Sequence, residues 1–197
     1  MDSYDLLPDA PIINKGEISR FFLKNGISTF RNACLHIHEM PYGYNSDEEN
    51  KWSIFEENKG SCTTKHGVIA TLAEELPISV KKHVGIYRFT EEICTGAQEI
   101  IDKYQIPYIP MVHCFLVYEE HRFDLTEGNK NGKNEPIEEF IHEEEVIPFI
   151  TRKDEYLLFK KMLREKILPS PEMNGISEKN LLKAREEAIK LLHAKIE

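Results

Sequence analysis

Nucleophilic catalysis by cysteine needs a thiolate, a base to make it and a group that holds the base in one orientation, and this sequence offers a candidate for each. Cys62 follows Gly60-Ser61 at the start of a helical pattern. A thiol in the first turn of a helix faces unpaired backbone N–H groups and the positive end of the helix dipole, both of which favour the thiolate. The Gly60-Ser61 lead-in lets backbone approach a substrate closely. The N–H of Cys62 itself is placed to meet a developing oxyanion, where one donor is worth about 2.7–4 kcal/mol. His113 lies 51 residues later in a strong strand pattern, and Asp124 lies 11 beyond it in a second alternating run. If the two runs form a hairpin with an even loop, opposed positions sum to an odd number, as 113 and 124 do, and the two side chains share a face. A single bulge reverses that relation.

The same residues admit plainer roles. A cysteine near a helix start is often a small buried side chain, and a strand histidine is often a core residue. A metal site can be written from Cys62, His66 and His113, since Cys62 and His66 stand four residues apart on one helix face. No second paired motif accompanies them, and the rings of His36-Ile37-His38 diverge on a helix. Lys65 reads as a solvated helix lysine that also raises the positive potential near the thiol. Gly67 costs about 1 kcal/mol in a helix relative to Ala and points to close packing of that turn against the sheet. Cys34 and Cys114 fall on apolar faces and read as core, while Cys94 stands near a helix start. Trp52 reads as an anchoring core residue, with its indole N–H as the alternative side-chain donor for an oxyanion.

The elements that must position these groups follow from periodicity. The opening fifteen residues read as a surface lead-in. Ile18, Phe21 and Phe22 mark a first helix stopped by Asn25-Gly26, and Ser28 is placed to cap a second with Phe30, Ala33, Cys34 and Ile37 on one face. Asn45 to Lys59 reads as a loop with a few anchoring side chains. From Ser61 to about Glu75 the pattern is helical, so Cys62 falls in the first turn. Val84 to Phe89 reads as a strand, and Thr95-Gly96-Ala97-Gln98 has the capping-box form that starts a helix. Met111 to Tyr118 is the strongest strand, followed by Arg122 to Thr126 through a hairpin at Glu119-Glu120. Asn129 to Glu135 reads as a mobile turn, and the acidic stretch Glu138 to Glu145 as a solvated helix face or an edge. Two final helices, from Asp154 to about Leu168 and from Ser177 onward, are separated by a Pro-Ser-Pro break that lets the last one swing away.

Composition bounds the class. The 197 residues are 41% hydrophobic and 30% charged, which is the balance of a chain that folds around a core. Lys and Arg number 25 against 34 Asp and Glu, a net charge of −9, and the basic residues are interleaved with acids. Nucleic acid is therefore not an expected partner, because phosphate neutralisation needs local positive charge. No segment approaches the roughly 20 apolar residues of a membrane-spanning helix. The start, MDSYDLLPDA, carries acids where a secretory signal needs a basic stretch, and the four scattered cysteines include no CxxC pair. A cytoplasmic setting with reduced thiols is the expectation.

Gly60-Ser61-Cys62 opening a helix, His113 in a strand and Asp124 within Arg122-Phe123-Asp124-Leu125-Thr126 resemble the Cys-His-Asp core of the transglutaminase-like proteins, which are similar in fold to papain-type peptidases. The resemblance covers roughly residues 60 to 126, and Gly-Ser-Cys-Thr-Thr-Lys-His is closest to a bacterial branch. It implies Cys62 as nucleophile, His113 as general base and then acid, and Asp124 as the orienting carboxylate. It departs at Thr63, where transglutaminases proper have Trp, and at Glu56, where papain-type enzymes have a Gln, so it assigns no side-chain oxyanion donor. The expected architecture is α+β and papain-like, with a nucleophile helix packed on a small antiparallel sheet. Residues 1–150 form the transglutaminase-like domain, and residues 151–197 a helical C-terminal extension packed on it. The expected function is acyl transfer through a Cys62 thioester, as an amide-bond hydrolase or a transferase, on a peptide, protein or small amide. The alternative is a non-catalytic binding module that keeps the fold. No cofactor, metal, nucleic acid or membrane enters this reading, and it leaves the oligomeric state open.

Overall fold

The strand pattern from Met111 and the run after it do form a hairpin in the computed structural model, which describes residues 1–196. The strands are β1 (Lys81–Phe89), β2 (Ile109–Tyr118), β3 (His121–Phe123) and β4 (His142–Val146), in one antiparallel sheet of order β3-β2-β1-β4. The helices are α1 (Glu17–Lys24), α2 (Phe30–Glu39), α3 (Ser53–Glu57), α4 (Cys62–Glu75), α5 (Ala97–Tyr104), α6 (Arg152–Met162) and α7 (Glu178–Ile196), so the class is α+β.

β2 and β3 pair in the register Leu116↔Phe123, Val117↔Arg122 and Tyr118↔His121. Glu119-Glu120 is thus the two-residue loop expected, with Glu119 at a positive φ of 55°. The opposed positions sum to an odd number, but the pairing stops at Phe123, short of the predicted Thr126. The cause is Asp124, whose Oδ1 accepts from the Thr126 N–H at 2.8 Å and from its hydroxyl at 2.7 Å. This side-chain turn offers the backbone an alternative to the ladder.

Contacts divide the chain into two compact units. The first comprises residues 1–84, 114–129 and 145–150. Its core joins Ile18 and Phe22 of α1, Ala33, Cys34 and Ile37 of α2 and Val68, Ile69 and Leu72 of α4 with Leu116, Phe123 and Leu125. Each of its Ile, Val, Leu and Phe side chains contributes about 1.5–3 kcal/mol on burial. The Glu75 carboxylate, at the end of α4, accepts from the Ile18 and Ser19 amides at 3.0 and 2.6 Å, placing negative charge on the positive end of α1. The sequence predicts loop at α3; the structure has a single short turn closed by left-handed Asn58, anchored by Trp52 and Phe55 against Phe21. Gly67 packs closely, as expected, but its neighbour is the Pro148-Phe149 segment and not the sheet. A Cβ there would lie 2.8 Å from the Pro148 carbonyl.

The second unit comprises residues 85–113, 130–144 and 151 onward. α5 begins at Ala97 as predicted, but Thr95 does not cap it. Gly96, at φ 100°, is the cap residue, and the Glu91 carboxylate accepts from the Gly96 and Gln98 amides at 2.9 Å. α7 buries Leu181, Ala184, Ala188 and Leu192, spaced three and four apart, and its Glu187 accepts from Lys103 and Tyr104 of α5 at 2.7 Å. The Pro-Ser-Pro break therefore does not release the last helix. The turn read as mobile is tied down by Asn134, whose N–H donates to Ile93 at 2.8 Å. Cys94, near the predicted helix start, is fully buried.

Candidate active site at the first turn of α4

Cys62 is the first residue of the 14-residue α4 and is half-buried, whereas Cys34, Cys94 and Cys114 are buried. Burial pushes the Cys34 and Cys94 thiols above their ordinary range, which fits them as core residues. Ser61 occupies the cap position but does not cap; its hydroxyl donates to Glu48 Oε1 at 3.0 Å. The lead-in is held from the other side by a two-way exchange: Gly60 N–H donates to Pro41 at 3.0 Å and Gly43 N–H to Gly60 at 3.2 Å. Gly60 was expected to leave room for a substrate. Its missing Cβ instead makes room for Ile54 and Thr64, whose atoms lie 2.8 and 2.9 Å from where it would stand. Asn45 completes the clamp, accepting from Thr64 Oγ1 at 2.8 Å and donating to the Lys59 carbonyl at 2.9 Å.

Tyr44 lies between Gly43 and Asn45 of this clamp, within reach of the Cys62 charge. Burial, with the charges of Cys62 and Glu48 adding to it, pushes the Tyr44 phenol up to about 12, so it is a neutral hydroxyl at ordinary pH. Sequence reasoning passed over Tyr44 because nothing in its spacing links it to Cys62. Trp52, the alternative side-chain donor, packs edge-on to Phe21 and tilted against Phe55, at centroid distances of 5.9 Å.

Lys65, read as solvated, is fully buried. Its ammonium donates to the His38 carbonyl at 3.1 Å, the Met40 carbonyl at 2.5 Å and the Asn129 side-chain oxygen, with the Leu125 carbonyl at 3.5 Å. The His38 carbonyl of α2 and the Met40 carbonyl just past its end face no further helical turn, so the buried charge acts as a C-terminal cap from a neighbouring helix. Burial pulls its pKa down to about 8, with Asp124 pulling it back up.

His66 stands one turn after Cys62, as its spacing required, and both ring nitrogens have backbone partners. Nδ1 donates to the Cys62 carbonyl at 2.7 Å, and Nε2 accepts from the Leu125 N–H at 2.8 Å. Asp124 Oδ1 lies 3.5 Å from the same Nε2. The metal-site alternative loses its second ligand in this way, and among the described residues no group of three or more His, Cys, Asp or Glu side chains is arranged to hold an ion.

Cys62 and Asp124 thus lie in the first unit and are linked through His66. His113 is the last residue of the second unit before Cys114, fully buried on β2, with its ring 6.4 Å from Tyr87 in an edge-on contact. The neighbouring Cys114 belongs to the first unit, where its sulfur lies 3.8 Å from the Thr63 hydroxyl. No family model, curated protein or solved structure matches this chain.

Proposed function

We propose that this protein is a cysteine-dependent acyl-transfer enzyme of the transglutaminase-like, papain-like kind. The Cys62 thiolate attacks an amide or ester carbonyl, the His113 imidazolium gives its proton to the leaving amine or alcohol, and a thioester remains on Sγ. Water or an amine then attacks the thioester carbon, returning its proton to His113 and the sulfur to Cys62. Asp124 is the carboxylate that orients the imidazole. The substrate class is a peptide, a protein or a small amide, the setting is the cytoplasm, and the chemistry calls on no cofactor.

The observation that supports this reading best is the placement of Cys62. It is the one partly exposed thiol among the described cysteines, at the first position of a helix whose cap side chain turns away to Glu48. No helix of the described chain is long and apolar enough to cross a membrane. The test is direct trapping: p-nitrophenyl acetate is added, the reaction is quenched in acid, and peptides are mapped by mass spectrometry. An acetyl group on Cys62 that accumulates in wild type and is lost in Cys62→Ser supports the enzyme. A chain that folds yet takes acetyl on no cysteine points to the non-catalytic binding module.

A further inference from the structure

The peptide between Asp124 and Leu125, and the Leu125 carbonyl beyond it, are held by side chains. The Asp124 carbonyl accepts from the Tyr4 hydroxyl at 2.7 Å, the Leu125 N–H donates to His66 Nε2 at 2.8 Å, and the Leu125 carbonyl meets His38 Nδ1 at 3.3 Å and the Lys65 ammonium at 3.5 Å. The His66 contact is the one that reaches the nucleophile, because its other nitrogen bonds the carbonyl of Cys62 itself. A carbonyl only accepts and an amide only donates, so the ring must carry its proton on Nδ1 and present a lone pair at Nε2. An imidazolium cannot do this, since both of its nitrogens donate.

We propose that His66 is a positioning residue: held as the neutral Nδ1–H tautomer, it locks the Asp124-Leu125 turn to the first turn of the nucleophile helix and so sets the carboxylate that orients the base. The proposal rests on the reading of Cys62 as nucleophile. It gives a function to a histidine that the Cys-His-Asp scheme leaves unused; Asp124 Oδ1 takes its two bonds from Thr126 and lies 3.5 Å from Nε2 without a proton between them. Loss of the lock lets the turn shift, and a displacement of about 1 Å in a catalytic group costs on the order of a hundredfold in rate.

The experiment follows alkylation of each cysteine by iodoacetamide against pH, with mass-spectrometric readout, in wild type, His66→Ala and His66→Gln, together with the long-range ¹H–¹⁵N spectrum of the wild-type histidines. The pH at which Cys62 becomes reactive is expected to rise by about one unit in His66→Ala, roughly tenfold less thiolate at pH 6. His66→Gln, which keeps an acceptor for the Leu125 N–H, is expected to recover most of it. A role confined to stability lowers the unfolding midpoint without moving that pH. A wild-type Cys62 that is selectively reactive, with the same pH profile in His66→Ala, overturns the proposal alone. If His66→Ala fails to fold, an Nε2–H or charged His66 ring in the neutral-pH spectrum overturns it, as does a Gln variant with no more Cys62 reactivity than free thiols show. Four wild-type thiols that titrate alike overturn the nucleophile reading and this proposal with it.

Discussion

Lys65 makes a prediction whose sign is unusual for a lysine. Burial holds its ammonium at a pKa of about 8, against 10.5 for a free lysine, with the Asp124 charge pulling in the other direction. Between those two values the unfolded chain binds a proton that the native protein has released, so stability rises with pH across that window. The slope is about 1.4 kcal/mol per unit, and the whole gain is on the order of 3 kcal/mol. It is complete above the unfolded pKa and lost as pH falls through the folded one. Deprotonation leaves an amine with two N–H donors for the His38, Met40, Leu125 and Asn129 oxygens around it, so the cage survives the proton's departure. The assay is urea unfolding followed by circular dichroism from pH 7 to 11, in wild type and in Lys65→Met. Subtracting the variant removes every other titration. The difference, wild type minus variant, is expected to be flat below pH 8, to climb by about 3 kcal/mol to pH 10.5, and to level off. A difference that stays flat, or falls over this range, refutes the argument from burial.

Three further predictions concern the surroundings. Gly67→Ala gains about 1 kcal/mol in helix propensity but drives a methyl onto the Pro148 carbonyl, and the net loss in urea unfolding is expected to be about 1–2 kcal/mol. Glu75→Ala removes the carboxylate from the α1 amides of Ile18 and Ser19 and is expected to cost about 1–2 kcal/mol, read as a lowered thermal midpoint. Asp124→Asn keeps an oxygen acceptor for Thr126, loses the charge and turns the second oxygen into an NH2 donor. Its stability is expected to stay within about 1 kcal/mol of wild type, while Cys62 alkylation at pH 6 slows at least about tenfold; unchanged alkylation contradicts the orienting role.

The parts of this fold that could be read from the chain are those fixed by local periodicity. α1, α4, β2 and the Glu119-Glu120 hairpin fall within a few residues of where their apolar spacing puts them. Cys62 lands in the first turn of its helix because Gly60-Ser61 and the pattern beyond leave little choice. The failures share one physical source, a side chain that bonds backbone where the regular cap, ladder or solvent was expected. Thr95 does not cap α5 because Glu91 gets there first, and β3 ends early because Asp124 turns onto Thr126. Lys65 offers no periodic sign that it is buried, since its partners come from the end of α2, from Met40 just past it and from the turn after β3, 25 to 64 residues away. His66 was visible as a neighbour of Cys62 at helical spacing. Its role became legible only when Leu125 was placed opposite it.

The most direct test of the central claim is the pH dependence of alkylation at each of the four cysteines in the native protein and in His113→Ala. Cys62 alone is expected to react fast well below the ordinary thiol pKa of about 8.5, and the substitution is expected to slow it. A Cys62 that titrates like an ordinary thiol, or that reacts identically without His113, contradicts the account.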